Sequence, residues 1–235
     1  MKNWGLGRLF VAAMMSLVML PLWAAQEDAV PAPEEAKTAV HTQFDALFTS
    51  VTHQLTNNQE MYLSNPVAYY DFIASTVINL WDSSSTTRAL LGKSLYTKLS
   101  NQQRLSLIAT VDQTLVRYAF EGLESYGGQA FRVADVVVNE KQGMGWVQVL
   151  MESPIIPDIN LDILIKRTEA NAWQAVDIRV KGITYVAIKK HKYREILEEQ
   201  GFKALMDNLT DKNTDFFKAV CVGANNAELE GSAPC

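Results

Sequence analysis

Apolar residues recur every three or four positions through the first half of the chain and every second position through much of the second. Val40, Phe44, Leu47, Phe48, Val51 and Leu55 predict an amphipathic helix that Asn57-Asn58 ends. Asn65-Pro66 opens a second helical piece carrying Tyr69, Tyr70, Phe72, Ile73 and Val77. A polar stretch, Asp82 to Thr87, interrupts before Arg88-Ala89-Leu90-Leu91-Gly92. The longest helix starts at Ser100, and Gln103 three residues on completes a capping box. One stripe along it holds Leu107, Ile108, Val111, Leu115, Tyr118 and Ala119; a second holds Leu105, Val116, Phe120 and Leu123. Two stripes predict a helix covered on two sides.

Past Tyr126-Gly127-Gly128 the period becomes two. Phe131 to Asn139, Trp146 to Ser153, Ile159 to Thr168 and Trp173 to Lys181 read as four strands of an antiparallel meander. Alternation puts Val147, Val149, Met151, Leu161, Ile163, Ile165, Val176, Ile178 and Val180 on one face. Gln148, Glu152, Asp162, Lys166, Asp177 and Arg179 take the other, so the sheet is dry on one side and wet on the other. Thr184 caps a returning helix with Tyr185, Ile188, Tyr193, Ile196 and Leu197. Gly201 breaks it, and Phe202 to Leu209 forms a last short helix. Helices, then a four-stranded sheet, then helices give an α+β fold.

The first residues have another purpose. Lys2 and Arg8 precede an apolar run from Leu9, small residues follow, and acidic residues begin only at Glu27, the layout of a secretory signal peptide. The central run is shorter than the roughly 20 residues a spanning helix needs. Residues 1–24 are therefore assigned to a signal peptide, 25–33 to a flexible lead-in, 34–213 to one domain and 214–235 to a flexible tail. The chain has 21 basic and 26 acidic residues, which opposes nucleic-acid binding, since phosphate contacts need a positive face. Export of a soluble acidic protein is the expectation.

Catalytic motifs are missing from the 235 residues. There is no Gly-x-Ser-x-Gly, phosphate loop, dinucleotide fingerprint or His-Glu-x-x-His. His41 and His53 are twelve residues apart on one helix and cannot share a metal, and His191 stands alone. Cys221 and Cys235, both near the C-terminus, can form an optional tail disulfide or stay free. Lys189-Lys190-His191-Lys192 with Arg194 is the one basic cluster; it reads either as a solvated helix face or as a contact for a head group, a membrane surface or an acidic partner. The dry sheet face and the striped helices carry more large apolar groups than a thin two-layer core requires. They make either a well-filled core or a cavity for a greasy ligand.

The segment Asp82, Arg88, Leu91, Gly92, Tyr96, Ser100, Gln103, Arg104, Leu115, Tyr118 resembles the signature of the MlaC family, periplasmic phospholipid carriers also called toluene-tolerance auxiliary proteins. The likeness continues through Tyr126-Gly127-Gly128-Gln129, Trp173-Gln174-Ala175-Val176-Asp177-Ile178, Gly182-Ile183-Thr184-Tyr185, Tyr193, Gly201 and Leu209. It spans roughly Val40 to Asn213. The chain departs from the pattern at Ser83 to Thr87, where aromatic or Met residues are usual, at Asn101, commonly Pro, and in the Cys-containing tail. The polar stretch would then shape the cavity mouth or the cargo.

The resemblance implies a curved sheet of the NTF2/cystatin-like type with helices over one face, enclosing acyl chains in a dry hollow while the head group stays in water. It implies a soluble periplasmic monomer that carries phospholipid between an outer-membrane MlaA–porin complex and the inner-membrane ABC transporter MlaFEDB, maintaining outer-membrane lipid asymmetry. No catalytic residue, metal or cofactor enters this reading. The lining expected for the hollow is Val136, Val138, Val147, Val149, Ile163, Ile165, Val176 and Ile178 from the sheet, with Leu90, Leu91, Tyr96, Leu107, Val111, Leu115 and Tyr118 from the helices and Ile183 at the mouth. A two-tailed lipid has roughly 30 methylenes, each worth about 0.8 kcal/mol on leaving water, so a carrier must offer a dry surface of similar worth. Three rivals use the same fold: an NTF2-like cavity enzyme, a carrier of another lipid such as a hopanoid, and an interaction protein with a solid core.

Overall fold

The computed structural model describes residues 33–124, 126–153 and 157–223. The expected signal peptide, most of the lead-in, and Cys235 of the optional disulfide lie outside the described residues. In chain order the elements are α1 (Pro33–Asn57), α2 (Gln59–Ser64), α3 (Pro66–Leu80), α4 (Ser83–Lys98), α5 (Asn101–Glu124), β1 (Ala130–Asn139), β2 (Met144–Glu152), β3 (Ile159–Arg167), β4 (Trp173–Val180), β5 (Ile183–Thr184), α6 (Tyr185–Glu199) and α7 (Gly201–Gly223).

The helix boundaries follow the capping chemistry. Asn65 accepts a hydrogen bond from the Ala68 N–H at 3.0 Å and opens α3 on Pro66. The capping box forms as expected: the Ser100 N–H donates to Gln103 Oε1 at 2.8 Å and the Gln103 N–H to Ser100 Oγ at 3.2 Å. Thr184 Oγ1 accepts from the Ala187 N–H and starts α6.

The sheet is antiparallel in the order β1-β2-β3-β4-β5, one strand more than the sequence predicts, because Val180 and Ile183 pair across a tight turn. Val136, Val147, Ile163 and Ile178 stand in register across four strands on the dry face. On the wet face Asp162 opposes Arg179 and pairs with it at 2.7 Å, while the guanidinium also lies over the Trp146 ring at 4.3 Å. Register shifts between Leu164 and Ile165, where Asp177 and Ala175 are the successive partners, leaving Val176 an extra residue in β4. The bulge frees the Val176 carbonyl, and Thr86 Oγ1 donates to it at 2.7 Å. Thr86 in turn accepts from Trp81 Nε1, and the Asp82 N–H donates to the Ala175 carbonyl, so the α3–α4 junction is tied to β4.

Three expectations need correction. The stretch from Asp82 to Thr87 is the capped first turn of α4 rather than an interruption; Ser83, Thr86 and Thr87 are buried. Asp82 Oδ1 accepts from the Ser85 N–H, which is why the helix begins there. The last helix runs on to Gly223, well past Asn213, because Phe217 packs inside against Tyr70 with ring centroids 5.0 Å apart. Finally, Asp177 is buried instead of wet, since the start of α6 closes over it.

Candidate functional site

Fourteen of the sixteen expected lining residues divide between two apolar clusters. Leu90, Leu91, Leu107, Val111 and Leu115 are buried together among α4–α7, with Tyr96, Tyr118 and Ile178 packed against them. Val136, Val147, Val149, Ile163 and Ile165 lie in the second cluster, with Val138 at its edge. Val176 is buried at the bulge, and Ile183 is 57% exposed, as a residue at a rim would be. Among the described residues, α1 covers the dry face of the sheet. Val40 and Phe44 of α1, both fully buried, drop onto that face and fill it. The apolar stripe of α1 was legible from its spacing; its destination was not.

The interior is nonetheless one apolar continuum with thin internal walls. Trp81 packs against both clusters, and Val77 joins the α4–α7 cluster to a third built around Tyr69, Ile73, Val116, Phe120 and Phe217. Polar groups interrupt the interior, among other places, between α4 and α5 and across the α5–α7 contact. Ser83 Oγ donates to the Asp112 carboxylate between α4 and α5, and burial pushes the Asp112 carboxyl above its usual range, with the Ser83 bond opposing. Asn213 donates to the Thr110 carbonyl at 3.2 Å and to Thr114 Oγ1 at 3.0 Å, and Arg117 Nε donates to Asn213 Oδ1.

Two cavities are built by other residues, and none of the sixteen lines either. One, of about 290 Å³, lies among the ends of α1, α2, α5 and α7 and the start of α3, lined by Leu55, Gln59, Tyr62, Leu63, Pro66, Tyr69, Phe120, Leu123, Glu124, Tyr126, Ala219 and Val220. The other, of about 230 Å³, lies beside the start of α1 and the β3–β4 turn, against Ala36, Gln43 and Trp173. Both fall just below the usual range of small-molecule sites, roughly 300–1,000 Å³, and neither could take a two-tailed lipid whole. The aromatic density from Tyr62 to Phe72 was the available signal for the first; which helix ends would meet there was not legible.

The basic cluster on α6 is only partly solvated. Arg194 turns inward, its Nε donating to the Leu90 carbonyl at 3.1 Å. Lys189 sits over the Tyr118 ring at 5.0 Å, and Lys192 pairs with Glu195. All three His are exposed. Asp177 is the buried acid a cavity enzyme would want, but its Oδ1 is occupied, accepting from the Ile178 N–H at 2.9 Å and the Val186 N–H at 3.1 Å. Burial raises its carboxyl above the ordinary range, the backbone bonds only partly offsetting this.

Helices laid over the dry face of an antiparallel sheet, with an apolar interior continuous from sheet to bundle, define an α+β protein with one helix-covered sheet face. The family model described as MlaC protein matches residues 45–211, and the chain belongs to the MlaC family. Among solved structures, the phospholipid-binding protein from Ralstonia solanacearum, determined in complex with a phospholipid, superposes with a TM-score of 0.64. It is 15% identical, over 77% of this chain and 98% of that one, a likeness of fold. No curated protein is matched by sequence.

Proposed function

We propose that this chain is a periplasmic phospholipid carrier. It holds acyl chains between the dry sheet face and the α4–α7 cluster, within the sixteen-residue lining. It passes them between an outer-membrane MlaA–porin complex and the inner-membrane MlaFEDB transporter, and so maintains outer-membrane lipid asymmetry. The observation that carries this is the apolar continuum joined at Trp81, read with membership of the MlaC family and with the lipid held by the Ralstonia protein of like fold. Phe44 and Trp81 fill the lipid's place in the closed form, and loading requires that the sheet and bundle part along that seam. A ligand gains this only if its burial exceeds the cost of opening, and some 0.8 kcal/mol per methylene supplies that margin for long chains. Release into water is correspondingly slow, so delivery depends on a partner that favours the open form.

Organic extraction of the purified protein followed by mass spectrometry tests the reading. A phospholipid recovered at about one per chain supports it. A polycyclic lipid would change the cargo, and recovery of no lipid at all from protein purified out of the periplasm would overturn it.

A further inference from the structure

We infer that the 290 Å³ cavity beside α2 is a binding site for an organic ammonium group, separate from the sixteen-residue lining. Two helices end at its wall: Leu55 lies in the last turn of α1, and Leu123 and Glu124 in that of α5, while Ala219 and Val220 of α7 line it from the side. A helix C-terminus carries about half a negative charge from its unpaired carbonyls. Neither last turn holds a basic residue to neutralise it. Glu124 adds a negative charge, and among the described residues no Lys, Arg or His lines the cavity. The neighbouring bases in sequence, His53 and Lys218, are exposed and point to the site from neither wall.

The opposing ends are muted. The N-terminus of α3 begins on Pro66, which has no N–H, and Asn65 occupies the Ala68 N–H; α2 is only six residues long. The walls are aromatic: the Tyr62 and Tyr69 rings lie 5.4 Å apart, Tyr69 and Phe120 4.4 Å, and Tyr126 closes one side. Ring faces and carbonyl ends attract a weakly hydrated cation and repel an anion, and the cavity volume suits a substituted ammonium better than a chain. The Tyr69 hydroxyl donates to the Phe120 carbonyl at 3.5 Å, which ties the α3 wall to the end of α5. The ammonium could belong to a free organic cation or to a zwitterionic lipid head group.

Calorimetric titration of the full chain with benzyltrimethylammonium, benzyl alcohol and benzenesulfonate tests this. The cation should bind best and the sulfonate not at all, and the exposed Glu124→Gln substitution should weaken the cation about fivefold while leaving the alcohol unchanged. Tyr62→Leu, on the short outer helix, should weaken the cation similarly without unfolding the protein. Equal affinities for the three probes, or no response to Glu124→Gln, would overturn the assignment. Dihexanoylphosphatidylcholine competing with the cation identifies a lipid head group as the source; its failure to compete, with the cation still bound, identifies a free cation. Extracted lipid is a separate measurement, so the carrier reading and this site stand or fall apart.

Discussion

Arg194 closes over Gly92: a Cβ at that position would stand 2.9 Å from the guanidinium Nη2. Gly92 breaks α4 with φ 74° and ψ 162°, backbone that only glycine adopts readily, and the break lets the helix present the Leu90 and Ala89 carbonyls to Arg194. A turn in α4 and a basic residue on α6 are thus one structural unit. Gly92→Ala should cost on the order of 1–3 kcal/mol, from backbone strain and displacement of the guanidinium. Urea unfolding of the variant measures this, and an unchanged midpoint would contradict it.

Asp177 makes stability depend on pH in an unusual direction. Its carboxyl is held above its ordinary range by burial, so the folded chain binds that proton more tightly than the unfolded chain. This group's contribution is therefore most favourable below the ordinary carboxylate range and declines as pH rises through the raised one. Asp177→Asn keeps an oxygen for the Val186 N–H and removes the buried charge. It should leave neutral-pH stability equal or higher and flatten this part of the pH profile, whereas Asp177→Ala should cost about 1–2 kcal/mol by orphaning the α6 start. Unfolding curves at several pH values between 4 and 7 separate the two variants.

The elements were legible because local chemistry writes them: the Ser100–Gln103 box, Asn65-Pro66 and Thr184 each set a boundary that the structure keeps. Strand alternation likewise assigned Val147, Val149, Ile163 and Ile165 to a buried face. What alternation cannot carry is a bulge, and Val176 is where β4 leaves its register. Nor does a stripe name its partner. Phe44 could have faced helices or sheet, and its landing on the sheet decides whether the interior is open. Asp177 looked wet by parity because the element that covers it, α6, comes later in the chain. The cavity beside α2 depends on where α1 and α5 stop and how α7 passes them, a matter of packing among residues far apart in sequence.

If the acyl chains lie along the seam, a charge there should expel them. Ile178 is half-buried, pairs with Ile163 in the sheet and packs against the α4–α7 cluster, so it borders both volumes. Ile178→Glu should remove the lipid adduct seen by native mass spectrometry while circular dichroism stays that of the parent. Val147, fully buried in the sheet core, is a harsher position, and Val147→Glu should lose both lipid and stability. A folded Ile178→Glu protein that still carried lipid would move the site away from this seam.

Asn213 marks where the polar tail was expected to begin, yet it is buried, and its amide joins Thr110, Thr114 and Arg117 across the α5–α7 contact. Removing one member of a buried network leaves the others unpaired, so Asn213→Ala should cost about 1–3 kcal/mol. Past it, Phe216 sits edge-on to Phe120 at 5.5 Å, and Phe217 is buried against Tyr70. Phe217→Ala should therefore cost about 3 kcal/mol or more, the usual range for deleting a buried ring. A chain that ends at Asn213 loses both rings and the α7 wall of the cavity, and it should unfold at markedly lower urea than the full chain. Were the two chains to unfold together, the last turns of α7 would contribute nothing to the folded unit, and the buried position of Phe217 would have no energetic consequence.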